Sequence, residues 1–185
     1  MSSTEPRYNL LTRIIHLGLM LFGTLAWLTS GLADDHDQAD HLGFTVHSWI
    51  GMSLVLFIFA RIVYGFFGPP LMRFANWLPY TKERLVQSWT DIRALLKLQM
   101  PERPAHEGIA GLVQTFGLLV FSWSAITGSL MFILLEPGTK AKGFVHFVKE
   151  LHEISDGLIP LFLILHVGAV ILHALLKHPI WRRMF

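Results

Sequence analysis

Apolar and polar positions fall into long blocks along this chain, without the short alternation of a soluble fold. Four apolar runs stand out, at about 14–33, 42–67, 109–135 and 151–176. A helix needs about 20 mostly apolar residues to cross a hydrocarbon core about 30 Å thick, and each run is long enough. The second is interrupted only by Arg61, the third carries no charge, and the fourth confines its acidic residues to its first turns. In lipid an isolated segment can satisfy its backbone only as a helix, so four membrane helices are expected. Arg7 and Arg13 precede the first run and Gly31-Leu32-Ala33 closes it, which imitates a signal peptide. Its apolar stretch exceeds the usual 7–15 residues or so of such a peptide, so it reads as a retained helix.

The roughly 40 residues between the second and third runs hold another pattern. From Thr81 to Met100, Leu85, Trp89, Ile92 and Leu96 recur on one helical face, with Lys82, Arg93 and Lys97 elsewhere. A helix lying in the membrane interface and a helix packed on the ends of the bundle both fit this spacing. Pro101 and Pro104 end it. There is no internal repeat, low-complexity tract or second domain. The expected fold is all-α: one domain over 1–185, an integral membrane four-helix bundle with an amphipathic interfacial helix in its middle loop.

Composition and charge refine this picture. The 185 residues are 52% hydrophobic and 15% charged, against about 25% charged in an average soluble domain. The absence of cysteine excludes a disulfide scaffold, thiolate metal sites and covalent c-type haem attachment. A net charge of +2 gives no reason to invoke nucleic acid. Basic residues sort by connection: Arg7 and Arg13 before the first run, Arg73, Lys82, Arg84, Arg93, Lys97 and Arg103 in the middle loop, and Lys177, Arg182 and Arg183 at the end. The stretch 34–40 has none and is acidic, and the last connection has Lys140, Lys142 and Lys149. The positive-inside rule therefore places both termini and the middle loop in the cytoplasm and, in a bacterial inner membrane, the other two loops in the periplasm.

Ten histidines are many for so few polar residues. Ionisable groups within spans are costly and tend to be functional. Given the orientation, His47 and His152 lie near the periplasmic surface, and His16 and His166 lie toward the cytoplasm. His152 and His166 stand 14 residues apart, about 21 Å and close to four turns on one helix face. Such a helix can hold two planar cofactors, one per leaflet, each haem iron taking an imidazole from either side. A single membrane histidine can also simply bond a neighbouring helix. Four of them paired by depth favour the metal. Gly51, one turn after His47, and Gly168, beside His166, suit the close passage of a porphyrin, though small residues also serve helix packing. Arg61, 14 residues after His47, either supports the inner haem through a propionate or snorkels to lipid phosphate. His173 fits a quinone site, its proton path, or an interhelical hydrogen bond. His36, His41, His106, His146 and His178 read as solvated, and the acidic 34–41 stretch as a hydrated loop.

These residues carry a family likeness. Arg13-Ile14-Ile15-His16, His47-Ser48-Trp49-Ile50-Gly51, the run Arg61 to Gly68, His152-Glu153, His166-Val167-Gly168 and His173 resemble the bacterial cytochrome b561 family. That family overlaps the b-type cytochrome subunits of nickel–iron hydrogenases. The resemblance implies a four-helix diheme cytochrome with His47/His152 and His16/His166 as axial pairs, two non-covalent haems b, and no covalent attachment. Hydrogenase-associated members often carry a glycine-histidine-asparagine-proline segment before the third helix or a longer cytoplasmic tail. Here the segment reads Ala105-His106-Glu107-Gly108, which departs from that branch. Another branch resembles superoxide oxidases, and Lys140, Lys142 and Lys149 could attract that small anion, dock an acidic cytochrome, or be ordinary loop lysines.

The expected function is electron transfer between the quinone pool and a periplasmic donor or acceptor, a c-type cytochrome or superoxide. The quinone would sit on the cytoplasmic side near His173 and Lys177. The alternatives are a superoxide:ubiquinone oxidoreductase acting alone, a subunit of a larger dehydrogenase or hydrogenase complex, and a non-haem transporter or scaffold.

Overall fold

Apolar blocks of this length fold as helices throughout the computed structural model, which describes residues 8–33, 42–97, 99–101, 107–136, 139–176 and 180–184. The elements are α1 (Leu10–Ala33), α2 (Leu42–Phe67), α3 (Phe74–Trp77), α4 (Lys82–Leu96), α5 (Ile109–Leu134), α6 (Gly143–Glu153) and α7 (Ser155–Leu175). Two 3-10 turns, Pro70–Met72 and Ile180–Arg183, join them, and no strand occurs among the described residues. Helix α1, helix α2, helix α5 and the α6–α7 stretch are each long and apolar enough to cross a membrane.

The boundaries have local causes. Helix α1 starts four residues before the expected position because the Asn9 carboxamide oxygen accepts from the Thr12 backbone N–H at 2.9 Å and the Thr12 hydroxyl at 2.8 Å. Gly68, Pro69 and Pro70 close α2, and the Arg73 Nε holds the turn by donating to the Gly68 carbonyl at 2.7 Å. Thr81 caps α4 by accepting from the Arg84 N–H. In that same first turn, backbone and Thr81 hydrogen bonds hold the Glu83 carboxyl below its usual range.

The fourth span differs from the expectation. Its helix begins at Gly143 rather than near 151, and it divides at Ile154 into α6 and α7. The early start was hidden because 143–150 is amphipathic, with Phe144 and Phe147 beside His146, Lys149 and Glu150. Pro160 lies inside α7, and without an N–H it leaves the turn upstream of it loosened. His152 and His166 therefore belong to two helices, and no unbroken face joins them.

Packing divides the chain into two units, Met1–Ala60 with Val120–Phe185 and Arg61–Leu119. In the first, all four spans meet through small residues and aromatic rings. A Cβ on Gly18 would overlap the Phe57 ring, and one on Gly23 would crowd Phe121. Phe57 stacks on Phe22 at 5.4 Å, and Phe121 meets Phe162 edge-on at 5.6 Å. Ser124 and Ser155 share a buried hydrogen bond of 2.8 Å. Leu56, Phe59, Ile126 and Ile164 point outward. Small and hydroxylated residues inside with large apolar ones outside is the distribution expected of helices packed in lipid.

The second unit holds the end of α2, α3, α4 and the start of α5. Arg61 lies over the rings of Phe74 at 5.2 Å and Trp77 at 5.3 Å. The Trp77 indole N–H donates to the Met72 carbonyl at 3.2 Å.

Candidate functional site

Antiparallel packing of α1 and α2 brings Thr29, near the end of α1, beside His47, near the start of α2. The Thr29 hydroxyl lies 3.2 Å from His47 Nδ1, 2.8 Å from the Leu25 carbonyl and 3.2 Å from the Ala26 carbonyl. Opposite, the Thr127 hydroxyl lies 2.8 Å from His152 Nδ1 and 2.8 Å from the Trp123 carbonyl. A hydroxyl carries one hydrogen and a carbonyl can only accept. Every contact is satisfied when each threonine donates to its carbonyl and each Nδ1–H donates to its threonine. That assignment leaves Nε2 of both rings with a free lone pair. The two rings face each other with centroids 6.2 Å apart.

Gly128 makes this arrangement possible: a Cβ there would come within 3.1 Å of His152 Cε1. The Trp123 indole N–H donates to the Leu151 carbonyl at 2.8 Å, tying α5 to the last turn of α6 that presents His152.

The second pair is built differently. His16 and His166 have centroids 6.1 Å apart. His166 stacks on Phe162, one turn earlier, at 5.3 Å and 19°. Nδ1 of His16 is buried with no hydrogen-bond partner among the described residues. Aromatic packing holds this pair where hydroxyls hold the other. Along α1, His16 and Thr29 are 13 residues apart, so the two pairs are separated by about 20 Å of helix.

The other expected residues divide. Arg61 belongs to the second unit, where its contacts are the two aromatic rings and its Nη1 is buried without a hydrogen bond. A Cβ on Gly51 or Gly168 would meet nothing within 4 Å, so described packing does not explain either glycine. His173 is half-buried near the end of α7. Lys177 lies outside the described residues, as do His36, His41, His106, His178 and the 34–41 stretch. His146 is exposed and 3.7 Å from Glu150, in keeping with a solvated reading. Sequence reasoning missed Thr29, Thr127, Gly128 and Phe162. The one available signal was a hydroxyl at the depth of each outer histidine, and hydroxyls are common in membrane helices.

Four helices long and apolar enough to cross a membrane, enclosing two pairs of facing imidazoles, mark a helical membrane protein. A family model described as prokaryotic cytochrome b561 matches residues 7–185, and the chain belongs to that family. It is thus a bacterial membrane b-type cytochrome of electron transfer, a haem b binder in a lipid environment. No curated protein and no solved structure matches the chain.

Proposed function

We propose that this cytochrome holds two haems b, one between His47 and His152 and one between His16 and His166, and relays electrons between the quinone pool and a periplasmic redox partner. The observation that carries the reading is the pair of ring separations, 6.2 and 6.1 Å. Two imidazoles bound through nitrogen to opposite sides of one metal, at about 2 Å per bond, have centroids about 6.3 Å apart. The donor chemistry agrees: with Nδ1 protonated, Nε2 of His47 and of His152 would be free to bind a metal. Among the described residues, Nδ1 of His16 has no hydrogen-bond partner.

His47 with His152, and His16 with His166, would hold the haems, which would supply one-electron redox chemistry. The protein's part is to hold the imidazoles neutral, aligned and in a dry setting. Thr29 and Thr127 orient one pair and Phe162 braces the other. Gly51, one turn after His47, leaves room on the helix surface beside that ligand, whereas Gly168 lies on the far side of α7 from His166. Arg61, in the second unit, has a buried Nη1 with no hydrogen-bond partner among the described residues, and a guanidinium suits a carboxylate. His173, with Lys177 beyond it, remains the candidate for quinone on the cytoplasmic side.

Purified protein is expected to contain two b haems per chain. His47→Ala should remove one and leave the other, and His16→Ala should do the reverse. A content of one haem, or loss of both from either variant in a folded protein, would falsify the two-pair reading. The distribution of basic residues supports cytoplasmic termini. A carboxy-terminal fluorescent reporter that matures only in the cytoplasm should glow, and a dark but intact fusion would reverse the orientation.

A further inference from the structure

Helix α4 is turned inside out relative to a helix in water. Its two buried residues are polar, Ser88 at 3% and Asp91 at 2% exposed, with Leu95 half-buried between them. The Ser88 hydroxyl lies 3.0 Å from the Gly108 carbonyl. The Asp91 carboxylate accepts from the Ile109 N–H, the first residue of α5, at 3.1 Å. The side facing away is apolar, with Leu85 and Val86 exposed, Trp89 53% exposed and Leu96 80% exposed. An amphipathic helix on a water-soluble core does the opposite. The earlier expectation also set the basic residues apart from the apolar stripe. At about 100° per residue, however, Leu85, Leu96, Trp89, Lys82, Arg93, Val86 and Lys97 share one arc of about 120°. The Arg93 guanidinium lies over the Trp89 ring at 5.2 Å. The one acid near this arc is Glu83, on its flank; Asp91 points inward.

Within its own unit, α4 makes its most buried contacts through Ser88 and Asp91 and leaves the apolar stripe outward. The outward face joins large apolar side chains to three cations, which is the chemistry of a leaflet boundary carrying anionic phosphate. Its level follows from Asp91 and Ser88. They fasten α4 to the residues where α5 begins its apolar run, so the outward arc lies where acyl chains give way to headgroups.

We propose that α4 docks on the adjacent membrane leaflet and recruits anionic phospholipid, with Trp89, Leu85 and Leu96 entering the acyl boundary and Lys82, Arg93 and Lys97 pairing with headgroup phosphates. The Arg93–Trp89 stack holds one cation at the rim of the apolar patch, where a phosphate can reach it. This assignment is independent of the haem ligands.

The chain contains no cysteine, so Leu96→Cys in the full-length holoprotein gives a unique site for a nitroxide label. The labelled protein is placed in nanodiscs of phosphatidylcholine alone or with added phosphatidylglycerol. Accessibility to oxygen and to a water-soluble nickel chelate is then read. The label should favour oxygen over nickel, with the preference rising when phosphatidylglycerol is present. Phosphatidylglycerol should also be enriched among lipids co-purifying with the chain. Removing one cation, as in Arg93→Gln, should lower that enrichment by about fivefold. A label open to nickel in both discs overturns the docking. Immersion indifferent to phosphatidylglycerol overturns the recruitment of anionic lipid. Dipolar broadening between labels would assign the face to a second copy instead. The lipid comparison needs no charge removal, so it stands even if Arg93→Gln fails to fold.

Discussion

A single hydrogen on a threonine decides much of the His47/His152 pair. Because the Thr127 hydroxyl donates to the Trp123 carbonyl, it can only accept from His152 Nδ1. Thr127→Val keeps the shape and removes the acceptor. The His152 ring then keeps only its backbone acceptor at Ser124 and loses part of its donor strength. The midpoint potential of that haem should rise, with a fall in haem affinity of about 10- to 100-fold, the range seen for partners of metal-bound histidine. Thr127→Ser should restore both. A redox titration followed in the Soret region checks this, and a Val variant with an unchanged potential would sever the link. The threonines were not legible in advance, since a hydroxyl inside an apolar span reads as ordinary helix packing. The histidines were legible, because an imidazole in lipid is conspicuous against leucine and phenylalanine.

Among the elements, legibility followed the solvent. Spans bounded by lipid announce themselves by length, and α2 and α5 fall within a residue of their expected limits. Where protein rather than lipid sets the environment, pattern misleads. The amphipathic start of α6 was passed over, and the division at Ile154 went unseen although Pro160 stood in plain view. For α4 the apolar stripe was read correctly, but not the direction in which it faces; that depends on Ser88 and Asp91 finding partners at the start of α5. Contact between α1 and α2 rests on Gly18, whose missing side chain admits Phe57. Gly18→Val should drive Phe57 off its stack with Phe22 and destabilise the fold by about 1–3 kcal/mol, the usual range for overpacking. Thermal loss of the folded state in detergent should shift to lower temperature accordingly. An unchanged melting curve would show that the rings can yield without cost.

For the molecule as a whole, the two histidine pairs differ in how they are held before any iron arrives. The His47 and His152 rings are each tethered by a protein hydroxyl, so the polypeptide alone has already fixed their rotation. For His16, Nδ1 has no such partner among the described residues, which leaves more of its ordering to the ligand. Binding to a prearranged site avoids that entropic cost. On the two-haem proposal, two hydroxyl groups would set the order of maturation. When haem is titrated into the haem-free protein, the His47/His152 site should fill first and the His16/His166 site later, resolved by the His47→Ala and His16→Ala spectra as references. Filling in the reverse order would mean that Phe162 prepares its neighbour better than the threonines prepare theirs. A cell short of haem would then hold a population of half-loaded molecules, all carrying their one cofactor toward the same face of the membrane.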